Sequence, residues 1–251
     1  LYDQGQLAAV VDHAQALTQQ YPDASVVWNI LGAANKGLGR VGEASEAFKK
    51  VTELNPTYAD GYNNLGVTLR EQGKLDEAIA SYNKTLSLKP DYADAYNNMG
   101  IALKDQGKLD EAIASYKKAL SLKPDYAEAY NNMGIALKDQ GKLEEAMAFL
   151  EEALSLGPGY ADAHYNMGNT LEKQGKLDEA IASYNKALSF RPDYADSYNN
   201  MGNTLQKQGK LDEAIASYNK ALSFRPDYTE TFWNLSGTAE NISEAKRWIE
   251  H

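Results

Sequence analysis

The sequence predicts an all-α fold, an α-solenoid of paired antiparallel helices. Three observations predict it. One 34-residue pattern is copied along most of the 251 residues. Within each copy, apolar residues recur at helical spacing. A glycine in mid-copy and a proline near its end recur at fixed places and divide each copy into two segments of helical length.

The frame is read from ADGYNNLGVTLREQGKLDEAIASYNKTLSLKPDY at 59–92 and ADAYNNMGIALKDQGKLDEAIASYKKALSLKPDY at 93–126. It continues at 127–160, 161–194 and 195–228. A looser copy at 25–58 keeps Trp28, Leu31, Gly32, Ala44, Phe48 and Pro56. Residues 1–24 fit the second half of an earlier unit. Residues 229–251 fit the start of a later one with a shortened internal loop, so the chain reads as one array of six full units between two partial ends.

Within 93–126, Asp91 is placed to cap the first helix and Asp94 adds an acid to its first turn. Tyr96, Met99 and Leu103 fall on one helical face, and Gly107 ends the helix because glycine takes the left-handed conformation cheaply. Leu109, Ala112, Ile113, Tyr116, Ala119 and Leu120 form the apolar face of the second helix, and Pro124 ends it. Each helix is roughly 20 Å long at about 1.5 Å per residue. Gly100, Ala112 and Ala119 are small where helices approach closely, with Tyr96 and Tyr116 as the bulky partners. A lone helix pair cannot bury both its faces, so the units must stack.

Composition narrows the chemistry. The chain has 25 Lys+Arg against 35 Asp+Glu, a net charge of −10, and repels polyphosphate, so nucleic acid is not the expected partner. It has no cysteine, which removes disulfides, thiol catalysis and thiolate metal sites. His13, His164 and His251 are too scattered for a multi-histidine metal site. No apolar run approaches the roughly 18 residues of a membrane span. No cofactor or enzymatic activity is expected, and a cytoplasmic location is.

The recurring residues resemble the tetratricopeptide repeat family, whose pattern is W-x2-L-G-x2-Y, then A-x3-F, then P over 34 residues. Here it stands as Tyr62, Leu65, Gly66, Leu69, Ala78, Tyr82 and Pro90, repeated in register. Residues 25–228 match in full. The resemblance implies a right-handed superhelix whose first helices line a concave groove that binds proteins. Within the family the array is most similar to bacterial repeat proteins and to that of the O-linked N-acetylglucosamine transferase, where an asparagine also recurs on the first helix.

That implication directs attention to unit positions 5 and 6. Position 5 carries Asn29, Asn63, Asn97, Asn131, Tyr165, Asn199 and Trp233; position 6 carries Ile30, Asn64, Asn98, Asn132, Asn166, Asn200 and Asn234. Position 9 changes from Val67, Ile101 and Ile135 to Asn169 and Asn203. An amide offers both donor and acceptor, so a row of them can pair with the backbone of an extended peptide of any sequence. The alternative is a structural bond between repeats. Position 2 carries Asp60, Asp94, Glu128, Asp162, Asp196 and Glu230, which complement the helix dipole or form an acidic rim. These acids replace the lysines of the family's carboxylate clamp for chaperone tails, so no such clamp is expected. Position 13 changes from Glu71, Asp105 and Asp139 to Lys173 and Lys207. In the unit 127–160, Phe149-Leu150 replaces Ser-Tyr, and Phe149 is expected at the surface.

Gly37-Leu38-Gly39-Arg40-Val41-Gly42 matches a dinucleotide fingerprint, but it lies between helices and lacks the preceding strand. Three functions follow: a non-catalytic scaffold for an extended peptide or partner helix, the recruiting arm of a larger enzyme such as a glycosyltransferase, or a self-associating scaffold. Leu1 and His251 fall inside units, so the chain is expected to be part of a longer protein. Trp233, Trp248 and Ile249 are expected to be uncovered, allowing copies to pair end to end.

Overall fold

The computed structural model describes the backbone over residues 4–249 and the side chains over 6–239. These residues form fourteen helices. They are α1 (Gln4–Gln20), α2 (Ser25–Gly37), α3 (Val41–Leu54), α4 (Ala59–Glu71), α5 (Leu75–Leu88), α6 (Ala93–Asp105) and α7 (Leu109–Leu122). Then come α8 (Ala127–Asp139), α9 (Leu143–Leu156), α10 (Ala161–Lys173), α11 (Leu177–Phe190), α12 (Ala195–Lys207), α13 (Leu211–Phe224) and α14 (Thr229–Ile249). The fold is an all-α helical-repeat solenoid. It divides into two compact units, Leu1–Pro124 and Asp125–His251.

The turn inside each repeat is set by one glycine. Gly107 has φ +78°, and its counterparts Gly39, Gly73, Gly141, Gly175 and Gly209 have φ between +72° and +80°. This left-handed residue lets the Gly107 N–H reach Lys104 O at 2.8 Å and the Lys108 N–H reach Leu103 O at 2.9 Å, satisfying carbonyls at the end of α6.

The helix starts differ from the sequence expectation. Asp91 does not cap α6: the capping position belongs to Tyr92, and no side chain bonds there. Asp91 stands one residue too early. The backbone closes the first turn instead, with the Ala95 N–H donating to Tyr92 O at 3.1 Å.

The core repeats with the sequence. A tyrosine of the second helix lies flat on a glycine of the first. Tyr82, Tyr116, Tyr184 and Tyr218 are completely buried, and their rings sit where a Cβ on Gly66, Gly100, Gly168 or Gly202 would stand. In the repeat 127–160, Leu150 takes the tyrosine's place over Gly134. Phe149 is half-buried, not at the open surface, because its ring centroid packs 6.0 Å from that of Tyr130. Across a repeat boundary, Ala102 of α6 packs with Leu69, Ala78 and Tyr82.

Each second helix packs on its own first helix and on the next one in its unit. First helices of successive repeats also touch: α4 with α6, and in the second unit α8 with α10, α10 with α12, and α12 with α14. Among the described residues, successive second helices make no comparable contact. Within each unit, successive repeats therefore approach one another along their first helices more than along their second helices.

The last segment departs from expectation too. Residues 229–249 form one continuous helix rather than two joined by a short loop. Gly237 is helical and does not take the left-handed conformation that makes the other turns. Trp233 is 68% exposed, as expected; the side chains of Trp248, Ile249 and His251 lie outside the described residues.

Candidate functional site

The asparagines on the first helices fall into two sets. Asn63, Asn97, Asn131, Asn166 and Asn199 are buried. They do not stand open to a ligand, although the sequence placed all twelve at the groove. Asn64, Asn98, Asn132, Asn169, Asn200, Asn203 and Asn234 are half-buried.

Stacking explains the division. In the first unit Asn98 Nδ2 donates to Asn63 Oδ1 at 3.2 Å. In the second, Asn166 Nδ2 donates to Asn131 Oδ1 at 2.9 Å. A position-6 amide thus reaches the position-5 amide of the preceding repeat, 35 residues earlier. Each bond contributes a modest 0.5–1.5 kcal/mol or so, yet leaving either amide unpaired inside the seam costs about 1–3 kcal/mol. Asn63 and Asn131 at position 5 are cross-repeat fasteners; at position 6, Asn98 is half fastener and half surface, whereas Asn166 is buried with its partner.

Toward the C-terminal end the network thickens. Tyr165 replaces asparagine at position 5, and its hydroxyl accepts from Asn200 Nδ2 at 2.9 Å. Asn200 Nδ2 also donates to Asn169 Oδ1 at 2.8 Å, and that oxygen accepts from the Tyr184 hydroxyl at 2.9 Å. The next repeat copies the motif: the Tyr218 hydroxyl donates to Asn203 Oδ1 at 2.8 Å, and Asn234 Nδ2 donates to the same oxygen at 3.0 Å. Asn199 Oδ1 takes the Thr231 hydroxyl at 2.9 Å. In the first unit, where position 9 is Val67, the buried Tyr82 hydroxyl has no hydrogen-bond partner. Burial pushes the Tyr82 and Tyr184 hydroxyls well above the usual tyrosine pKa and pushes Tyr218 up to about 12.

The acids at position 2 do more than complement a dipole. Arg191 grips Asp162 through two bonds of 2.9 Å, and the Tyr194 hydroxyl adds a third at 2.8 Å. Arg225 and Tyr228 hold Asp196 in the same way. Each arginine also covers its tyrosine ring, at 4.4 Å for Arg191 and 4.5 Å for Arg225. The Arg225 guanidinium, helped by the Tyr228 hydroxyl, holds the Asp196 carboxyl below its ordinary pKa against the opposing effect of burial. At Asp162 burial is the largest influence and pushes upward, but the bonds from Arg191 and Tyr194 together outweigh it. Sequence reasoning missed these clamps. The available signal was the change from Leu-Lys at 88–89 and 122–123 to Phe-Arg at 190–191 and 224–225.

Charges near the ends of the first helices pair in the same 35-residue register: Lys36 with Glu71 at 3.8 Å, Arg70 with Asp105 at 3.8 Å, and Lys207 with Glu172. Among the described residues no cluster of His, Asp or Glu is arranged to hold a metal ion. No helix there is long and apolar enough to cross a membrane.

The TPR repeat family model matches residues 68–107, 102–141, 136–175 and 173–209. Further tetratricopeptide repeat models match 26–58, 47–80 and 195–228. The chain belongs to the tetratricopeptide repeat family. No curated protein matches it. Its fold is similar to that in the crystal structure of the APC/C hetero-tetramer Cut9-Hcn1, at 18% identity and a TM-score of 0.81. That likeness covers 94% of this chain and 46% of the other, so this chain spans about half of that one's length. YrrB, described as a TPR protein with an unusual peptide-binding site, is 28% identical with a TM-score of 0.54, over 75% of this chain and 97% of its own. The thermophilic TPR protein TTC0263 of Thermus thermophilus is 25% identical with a TM-score of 0.64, over 72% of this chain and 99% of its own. Tetratricopeptide repeats and this helical-repeat fold make the chain a protein-interaction scaffold.

Proposed function

We propose that this tetratricopeptide array, framed in 34-residue repeats from 25 to 228, is a non-catalytic scaffold. It holds an extended peptide along the inner side of its first helices. The carrying observation is the set of half-buried amides on the first helices of each unit: Asn64 and Asn98 in the first, and Asn132, Asn169, Asn200, Asn203 and Asn234 in the second. These side chains sit on helices that touch their neighbours within each unit. Asn98 is anchored by one bond across the repeat seam and Asn200 and Asn234 by two each, which limits their rotamer freedom before a ligand arrives. An amide has two donor hydrogens and two acceptor lone pairs, so an anchored side chain retains capacity for a peptide backbone. The peptide-binding site named for YrrB, a relative in sequence and fold, supports the same reading.

The test uses a degenerate dodecapeptide library panned against the wild-type protein. One enriched peptide is then measured by fluorescence anisotropy against the double variant Asn132→Ala and Asn200→Ala, both in the second unit. With about 0.5–1.5 kcal/mol per lost bond, two amides should lower affinity by about fivefold to 150-fold while the helical fold persists by circular dichroism. Unchanged affinity, or a library that enriches nothing, refutes the groove reading.

A further inference from the structure

Several side chains 35 residues apart on successive first helices meet within a unit. Asn63 meets Asn98, Asn131 meets Asn166, Tyr165 meets Asn200, Lys36 meets Glu71, Arg70 meets Asp105, and Glu172 meets Lys207. The charged pairs in this series always join opposite signs. The same register sets Lys138 of α8 opposite Lys173 of α10, two helices in contact within the second unit, and there the signs are alike.

The surroundings do not repair that conflict. The Lys138 side chain is only 15% exposed, and its ion partner is Asp139, the next residue of its own helix, at 3.5 Å. Glu172, the acid beside Lys173, is already held by Lys207. Lys173 is exposed and has no ion pair among the described residues. Two cations against one acid leave a local excess of positive charge on the first helices of an otherwise acidic protein. A glutamate at 173 would have closed the pair as Glu71 does for Lys36. A lysine in the last turn complements the helix dipole, but that explains neither the like-charge pairing nor the reversed polarity of the next pair. A local rule obeyed elsewhere and broken at one place marks a site at which function outweighs stability.

We propose that Lys138 and Lys173 form a two-cation seat for the carboxylate of an acidic residue in a peptide bound along α8 and α10. This rests on the groove reading and adds the charge the peptide must carry. Asn169 stands four residues before Lys173 on the same face of α10 and is half-buried, so a backbone contact and a side-chain contact fall side by side. A carboxylate between two ammonium groups gains charge-assisted hydrogen bonds and relieves the repulsion between them. The seat differs from a carboxylate clamp at unit positions 2, 5 and 6: it lies at positions 12 and 13, by the turn between helices.

The same degenerate library tests it. Wild-type protein should enrich peptides with Asp or Glu at one fixed place. Lys173→Glu should abolish that preference and weaken the acidic peptide by at least about tenfold. Lys176→Glu, an equal change in net charge at an exposed neighbour, should retain both. Enriched peptides without a fixed acid, or equal weakening by both variants, would each overturn the two-lysine seat while leaving the groove intact. A library that enriches no peptide removes the groove and the seat with it.

Discussion

Replacing Gly100 by alanine sets two known effects against each other, and the structure decides the sign. Alanine in a helix interior is favoured over glycine by about 1 kcal/mol. At Gly100, however, a Cβ would stand 2.5 Å from Tyr116 Cε1 and 2.8 Å from its Cδ1. Carbon atoms prefer roughly 3.5–4 Å, so the ring must retreat by about 1 Å. Tyr116 is fully buried, and overpacking of this kind costs about 1–3 kcal/mol. The net expectation is a loss of up to about 2 kcal/mol. Gly42 near the start of α3 is the control: it is exposed, and nothing lies within 4 Å of its Cβ position. Gly42→Ala should therefore stabilise by up to about 1 kcal/mol. Urea unfolding followed by far-ultraviolet circular dichroism measures both midpoints. In a Tyr116→Ala background the ring is gone, and Gly100→Ala should turn from harmful to helpful, giving a coupling of about 1–3 kcal/mol across the cycle. If Gly100→Ala stabilises the wild-type protein as Gly42→Ala does, the ring does not hold the helices at their separation and the packing account fails.

Two further outcomes are expected. Asn169→Val restores the apolar residue type that Val67 and Ile101 show at this place but strips the acceptor from Tyr184 and Asn200. It should cost about 1–3 kcal/mol in the urea midpoint, and adding Tyr184→Phe should recover part of that loss; a neutral single variant contradicts the network. Asp196 has a folded pKa below its ordinary value, so its stabilising contribution is whole above the unfolded pKa of about 3.9 and is lost as pH falls through the folded value. Wild-type stability should fall more steeply than that of Asp196→Asn between about pH 5 and about pH 3, and parallel slopes would show that the Arg225 clamp contributes nothing.

What the amino-acid sequence determined by itself was everything governed by local chemistry and by copying. The glycine turns, the 34-residue frame, the small residues at close helix approaches and the all-α fold follow from helical periodicity and from side-chain size; that Tyr116 is the ring over Gly100 came from the packing. Local signals can still mislead where the backbone has another solution, as at Asp91, whose capping role the backbone made unnecessary, and at 229–249, where one helix runs on. Tertiary structure alone decided the roles of the polar residues. Adjacent asparagines in the sequence, such as Asn199 and Asn200, separate into buried and half-buried because neighbouring positions on a helix point about 100° apart. Which of them is fastened depends on a residue 35 positions away that draws near only when repeats stack. The pairing of Lys36 with Glu71 has the same origin: their charges are written in the chain, but their meeting depends on the stacking of one repeat against the next.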